Sequence, residues 1–298
     1  MSEADWSAPL PLAARPHAWP WLRARLSAFR AAPQLLSLLF LLLLVAASLA
    51  PTLFTAEDPY AVQPLQRLRP PSTAHPFGTD EMGRDLWARI IYGARITLAS
   101  SLSLIALAVV TGGIVGLVAG SASRRVDELI MRTTDLFLSF PRLILALAVA
   151  AALGRGMTNA VLAFAVLWWA QYARVMRSQV LVVREREFVT AAQALGCRRL
   201  RLIFRHLLPN CVTPVLVRAT LDLGLAILLL SSLSFLGLGV QPPTPDWGAM
   251  VAVGRRYLLG YWWYPTFPGL AIFATVLAFN LVGERIKDLL DPRQGLSA

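Results

Sequence analysis

The sequence predicts an all-α, polytopic membrane protein with six transmembrane helices, and three observations lead there. Of 298 residues, 56% are hydrophobic and only 15% are charged, against roughly 25% charged in a soluble domain. The charges are gathered between long uncharged runs, as a bilayer requires of segments of about 20 residues. The chain is also strongly basic, with 28 Lys and Arg against 17 Asp and Glu. The Arg residues lie between apolar spans rather than on one polar face, so they read as topology signals. No nucleic-acid partner is therefore expected.

Residues 1–32 are expected to form a cytoplasmic N-terminal tail carrying Arg15, Arg23, Arg25 and Arg30. The first helix is assigned to residues 33–54. The basic region before it is too long for a cleaved signal peptide and the apolar run can span, so the helix is read as uncleaved. Residues 55–95 form a periplasmic loop with an interfacial helix, capped by Thr79 or Asp80 and running to about Gly93. In that helix Met82, Leu86, Trp87, Ile90 and Ile91 share one face, with Arg84, Asp85 and Arg89 off it, which suits a helix lying along the membrane surface.

The remaining five helices make up a core domain over residues 96–293. The second helix lies within Ile96–Ser123, where Gly112, Gly113, Gly116 and Gly120 permit close contact with a neighbour. The third runs from about Asp127 to Leu153, bends near Pro141, and packs inside protein because it carries Asp135 and Arg142. The fourth is Gly156–Ala173. The fifth, about Val212–Val240, holds Arg218 and Asp222, four apart and so on one face, where they can neutralise each other or meet a substrate. The sixth is Phe267–Gly283, preceded by Tyr261, Trp262, Trp263 and Tyr264, a run that suits an interfacial belt. Its Asn280 can bond a neighbouring helix or line a path. Six spans leave both termini on one side, and the density of Arg places that side in the cytoplasm.

The loop 185–211 is the most informative inside segment. Thr190, Ala191 and Ala192 precede Gly196, and Leu208-Pro209 follows. The small Ala residues suit a short helix that another protein approaches closely, and Gly196 suits the left-handed turn that ends it. A second, amphipathic helix is expected next, with Leu200, Ile203, Phe204 and Leu207 on one face and Arg199, Arg201 and Arg205 elsewhere. Pro209 then restarts the chain toward the fifth span.

This segment resembles the loop of ABC importer permeases that carries the E-A-A-x3-G-x9-I-x-L-P pattern. Ala191, Ala192, Gly196, Leu208 and Pro209 match it, while Thr190 replaces the Glu and His206 the Ile. His75–Asp85, Leu233–Gly248 and Phe279–Arg293 resemble the second, C-type permease of dipeptide, oligopeptide and nickel systems, and the likeness covers about residues 30–293. The resemblance implies a type I ABC importer permease fold. It also implies a permease subunit for di- or oligopeptides, with nickel or a metal chelate as the alternative cargo. The expected partners are a homologous second permease, two ATPase subunits or domains, a periplasmic or extracellular binding protein, and membrane lipid. Thr190, Ala191, Ala192, Gly196, Leu200, Phe204, His206, Leu208 and Pro209 would couple to the ATPase. Asp222, Arg218, Asn280 and Asp135 are candidates for the translocation path.

The chain is not expected to be an enzyme. It has no G-x-x-x-x-G-K-[ST] phosphate loop, so ATP and Mg belong on the partner subunits. It has no nucleophile elbow. His17, His75 and His206 are too scattered for a metal centre, and Cys197 and Cys211 have no ligand spacing; no cofactor or metal is expected on this chain. A self-sufficient secondary transporter or channel is the competing class, but it would leave the structured basic loop without a task.

Overall fold

The computed structural model describes residues 20–290. Expectations for residues 1–19 of the tail, and for Asp291–Arg293, lie outside the described residues. Ten α-helices follow in order: α1 (Pro20–Leu49), α2 (Leu86–Ser121), α3 (Arg124–Ser139), α4 (Arg142–Leu153), α5 (Met157–Arg184), α6 (Glu187–Ala194), α7 (Arg199–Leu202), α8 (Leu208–Phe235), α9 (Trp247–Gly254) and α10 (Trp263–Leu290). A π-turn over Ile203–Leu207 joins α7 to α8.

The first span ends at Leu49, short of the expected residue 54. Pro51 pushes Ala50 out of the helical region, to φ −130 and ψ 66, as a residue before proline prefers. The expected separate interfacial helix from Asp80 to Gly93 is not formed. Asp80 instead closes a tight turn by accepting the amides of Met82 (2.8 Å) and Arg84 (2.9 Å). Gly83 sits in that turn at φ +77, where an L side chain is strained. Asp85 is the true cap, accepting the Ala88 amide at 2.7 Å. Nothing after it breaks the helix, so α2 runs on unbroken for 36 residues and contains the second span.

The polar assignment in this segment is also reversed. Arg84, Asp85 and Arg89 are buried, and Met82 is exposed. Arg89 donates to the carbonyl of Pro59 (3.0 Å) and toward that of Pro243 (3.3 Å). It thereby ties the 55–85 segment to the loop before α9. Around it lie Asp80, paired with Arg84 at 2.6 Å, and Glu81, which accepts the Tyr264 hydroxyl. His75 bridges Asp85 (2.8 Å) and Gln66 (2.6 Å). The cap is built from pairs within the chain, so apolar periodicity could not find it. Trp263 and Tyr264 are buried beneath it, leaving only Tyr261 and Trp262 of the expected aromatic belt exposed. The helix α9, which sequence periodicity did not suggest, begins at Asp246, whose carboxylate accepts the Ala249 amide at 3.0 Å. Burial pushes that carboxyl up from its ordinary value and the Ala249 bond pulls it back. Trp247 at its start is fully buried and donates to the Ile90 carbonyl at 2.9 Å.

The third span is broken rather than bent: α3 and α4 meet at 89° across Pro141. The fourth extends to Arg184, past the expected Ala173, because Arg177 is neutralised on the helix by Asp127 of α3 through bonds of 2.5 and 2.6 Å. The fifth begins inside the expected loop, as Arg199–Phe235 is one 37-residue helical run. Pro209 does not restart the chain: it lacks an amide and would crowd the carbonyl four residues back. The π-turn before it, with the Leu208 amide bonding to Ile203, supplies the extra room. Phe235 ends α8, and Gly237 follows at φ +83.

Among the described residues, three helices are long and apolar enough to cross a bilayer, or four if the α3–α4 pair counts once. The count of six is therefore not reached by length and composition alone. Pro33–Leu49 is a shorter apolar helix, and α5 carries Trp168, Trp169, Gln171 and Tyr172 in its interior. At the centre, α2 and α5 lie backbone against backbone. A β-carbon on Gly112 would overlap the Trp169 carbonyl, and one on Gly116 the Ala173 carbonyl. Gly120 has Val180 side-chain atoms 2.8 Å from that position. The main core, including Leu104, Phe164, Trp168, Tyr172, Val215 and Leu230, surrounds this seam.

Gly112→Val and Gly116→Val should each lower stability in detergent by about 1–3 kcal/mol, the usual range for overpacking, read as earlier loss of the monodisperse peak on heating. Gly113→Ala should be neutral, because its nearest neighbour is 3.7 Å from the added carbon. Equal behaviour of the Gly112 and Gly113 variants would contradict the seam.

Candidate functional site

Two groups of residues single themselves out: the loop between α5 and α8, and a polar cluster within the helical core. In the loop, α6 is held down by Val189, fully buried, and by Ala192 and Cys197, which pack against the core. Thr190 bonds back to the Arg186 carbonyl at 3.2 Å and is exposed, as is Ala191. Gly196 turns the chain at φ +77 with open space around its α-carbon. Arg199 donates to the Ser121 carbonyl at the end of α2, which anchors the loop on the core.

The expected apolar face of the second loop helix is divided. Leu207 is buried and Ile203 half-buried, but Leu200 and Phe204 are 70% and 62% exposed. With Phe188 and with Leu195 at 89% exposure, they form apolar side chains facing outward among Arg186, Arg198, Arg201 and Arg205. The packing of Leu202 and Leu207 inward selects this split, since a helix with a π-turn no longer keeps a single 3.6-residue stripe. His206 and Leu208 are half-buried, and Pro209 is exposed.

In the core, Asp222 is 3% exposed. Its carboxylate lies 3.1 Å from Arg218 Nε and accepts the Tyr172 hydroxyl at 3.0 Å. Tyr172 was not anticipated, although a hydroxyl midway along an apolar helix needs a partner and could have flagged it. Asn280 of α10 faces α8 near Gly224. Asp135 does not join this group: it is exposed on α3 and paired with Arg174 of α5. A groove of about 600 Å³ between α8, α9 and α10 is lined by Ser231, Ser232, Phe235, Val251 and Phe273. Among the described residues, these arrangements describe a helical bundle with apolar side chains exposed at the end that carries the α5–α8 loop.

Residues 112–295 match the family described as binding-protein-dependent transport system inner membrane component. The chain belongs to this family. The permease is 46% identical over 259 residues to the probable D,D-dipeptide transport system permease protein DdpC of Escherichia coli K12, covering 87% of each chain. It is 42% identical over 241 residues to the dipeptide transport system permease protein DppC of Alkalihalophilus pseudofirmus, covering 81% of this chain and 79% of that one. The nickel transport system permease protein NikC of Escherichia coli K12 is 40% identical over 260 residues, covering 86% and 93%. A solved amino acid ABC transporter with histidines shares the fold, with TM-score 0.52 at 15% identity, over 68% of this chain and 94% of that one. The protein is thus a multi-pass inner-membrane permease subunit of the ABC importer class.

In this permease Asp222→Asn should weaken the Arg218 contact and lower stability by roughly 1–3 kcal/mol, discounted for the exposure of Arg218. Arg218→Gln combined with Asp222→Asn should recover part of that loss in the same thermal assay. A double variant no more stable than the single one would show that the pair does not act as a neutralising couple.

Proposed function

We propose that this permease is one of two homologous subunits that form the translocation path of an ATP-driven importer for di- or oligopeptides. A soluble binding protein delivers the cargo, and two ATPase subunits or domains, which hold ATP and Mg, drive the cycle. The observation that carries the reading is the inner end of the bundle. Phe188, Leu195, Leu200 and Phe204 stand exposed around the Gly196 turn, on a loop pinned to α2 by Arg199. Exposed apolar groups among Arg residues fit a protein partner better than water, since contiguous exposed apolar surface marks interaction sites. Thr190, Ala191, Ala192, Gly196, Leu200, Phe204, His206, Leu208 and Pro209 constitute this coupling surface. Ala191 is its contact point, because Ala192 faces its own core.

The peptide reading draws on the names of relatives such as DdpC and DppC. The nickel reading remains as the second, because NikC is 40% identical over 86% of the chain. Both termini are placed in the cytoplasm, with the loop 185–211 on the same side, by the Arg density of these segments.

Gly196→Val should cost about 1–2 kcal/mol in the left-handed turn, and Ala191→Trp should hold the partner surface away. Both variants should insert in the membrane at parental level, co-purify poorly with the ATPases and lose peptide uptake. A cysteine at Ala191 should cross-link to the ATPase in a Cys197-free background. Full ATP-driven uptake by both variants would reject the coupling surface. For orientation, an impermeant maleimide should label Cys197 in inverted vesicles and not in spheroplasts, while buried Cys211 should label in neither; labelling of Cys197 from outside would invert the topology.

A further inference from the structure

The break between α3 and α4 leaves a helix start inside the membrane. At 1.5 Å per residue, Arg142 lies roughly 17 Å along α4 from its outer end at Leu153. Trp168 lies roughly 17 Å along α5 from Met157, and Asp222 roughly 20 Å along α8 from Phe235. The outer ends of these helices are level with one another, since the Gly156 amide bonds to the Leu238 carbonyl at 3.0 Å. In a hydrocarbon layer about 30 Å thick, these side chains share a depth near or just inside the midplane.

No side chain caps the α4 N-terminus. Among the described residues, the first of its amides to reach a backbone acceptor is that of Leu145, bonded to the Pro141 carbonyl at 3.1 Å. In lipid such free amides are costly, and irregular backbone survives there only against protein or a water-filled path. Beside them the Arg142 guanidinium lies over the Trp168 ring, 5.5 Å from its centroid, with no carboxylate paired to it among the described residues. The Trp168 ring is 1% exposed, yet its Nε1 has no acceptor. One turn on, Gln171 Oε1 is buried without a donor. Asp222 of α8 already serves Arg218 and Tyr172. Among the described residues, the place therefore holds free amides, a guanidinium and an indole N–H without partners, with Gln171 Oε1 as an unmatched acceptor one turn away.

The geometry points to an anion-binding site within the membrane, built from the α4 N-terminus, Arg142 and Trp168 Nε1, that takes the terminal carboxylate of a peptide in transit. Helix N-termini favour anions through their free amides and dipole, and a cation stacked on an indole is held in place while its N–H groups remain available. Gln171 Oε1 would accept from an amide N–H of the same ligand, which a peptide supplies and a bare anion does not. The identity of the ligand rests on the peptide reading above; the preference for a carboxylate does not.

Two measurements on the assembled complex separate these. In the first, phenylglyoxal modification of Arg142 is followed by peptide mass spectrometry, with propionate or propionamide present. Protection by propionate alone is expected, whatever the natural cargo; equal modification with and without propionate overturns the site. In the second, uptake of labelled dialanine into ATP-loaded proteoliposomes is compared among variants. Arg142→Gln should reduce the maximal rate about tenfold or more, the loss of one charge-assisted hydrogen bond, and Arg142→Lys should retain most of it. Trp168→Phe, which keeps the ring and removes only Nε1–H, should reduce the rate severalfold with assembly intact. Parental uptake by Trp168→Phe and Arg142→Gln overturns the proposal. Absence of dialanine uptake in the parent, with propionate protection retained, instead overturns the peptide reading and leaves the carboxylate site standing.

Discussion

Every other helix takes its place from the contact between α2 and α5. Gly112, Gly116 and Gly120 fall on one face of α2 at four-residue spacing; at Gly112 and Gly116 the α5 backbone itself comes into contact, and at Gly120 the Val180 side chain does. In a bilayer this kind of contact has unusual weight, because lipid tails are as apolar as the side chains and burying Leu gives little net drive. Dispersion between closely fitted surfaces must carry the association. With α2 and α5 locked, α3 and α4 pack along α5, α8 closes against both, and α10 and α1 follow on the outside. The broken third span is tolerable because α5 supplies the charges that its polar half requires, Arg174 for Asp135 and Arg177 for Asp127.

A second constraint is that charge removed from water must be answered inside the chain. The polar cap at the start of α2 does this with short chain segments. Asp80 pairs with both Arg84 and Arg89, and Arg89 also holds the carbonyls of Pro59 and Pro243. Such pairs add little net stability relative to an apolar replacement, yet breaking one is strongly destabilising. Their effect here is positional: they hold the 55–85 segment, the start of α2 and the entry to α9 in one arrangement. The aromatic layer beneath, with Phe77 stacked on Phe267 at 4.1 Å, then seals the cap against the spans.

The two ends of the bundle are built for different work. The end that carries the 55–85 segment is closed by polar groups paired within the chain and by aromatic rings. The end that carries the α5–α8 loop leaves apolar side chains outside, on a helix and turn that are nonetheless tied to α2. In the proposed function, a loop held to α2 by Arg199 while exposing Phe188 and Leu195 would pass on a partner's displacement. Between the ends, the broken third span brings a helix start, a cation and an unpaired indole N–H to one depth. These features give a subunit that would receive force at one face and handle a polar cargo in its interior.

Sequence alone determined the all-α membrane class, the family resemblance, the glycine seam's candidate residues, the Arg218–Asp222 pair and the turn at Gly196. Each of those depends on composition, on a fixed helical spacing, or on the conformational latitude of one residue, and all are local. Tertiary structure decided which face of a helix is inside. Arg84, Asp85 and Arg89 were placed off the apolar face and became a buried cap, because Arg84 and Asp85 pair within the folded-back 75–85 segment and Arg89 reaches carbonyls 30 and 154 residues away. Leu200, Ile203, Phe204 and Leu207 read as one apolar face, and the packing divides it: Leu207 turns inward while Leu200 and Phe204 stay exposed, because the π-turn before Pro209 breaks the 3.6-residue phase. Tyr172 met Asp222 across 50 residues. Periodicity records whether a helix has two faces; only the packed neighbours determine where each face points and whether a charge on it finds a partner.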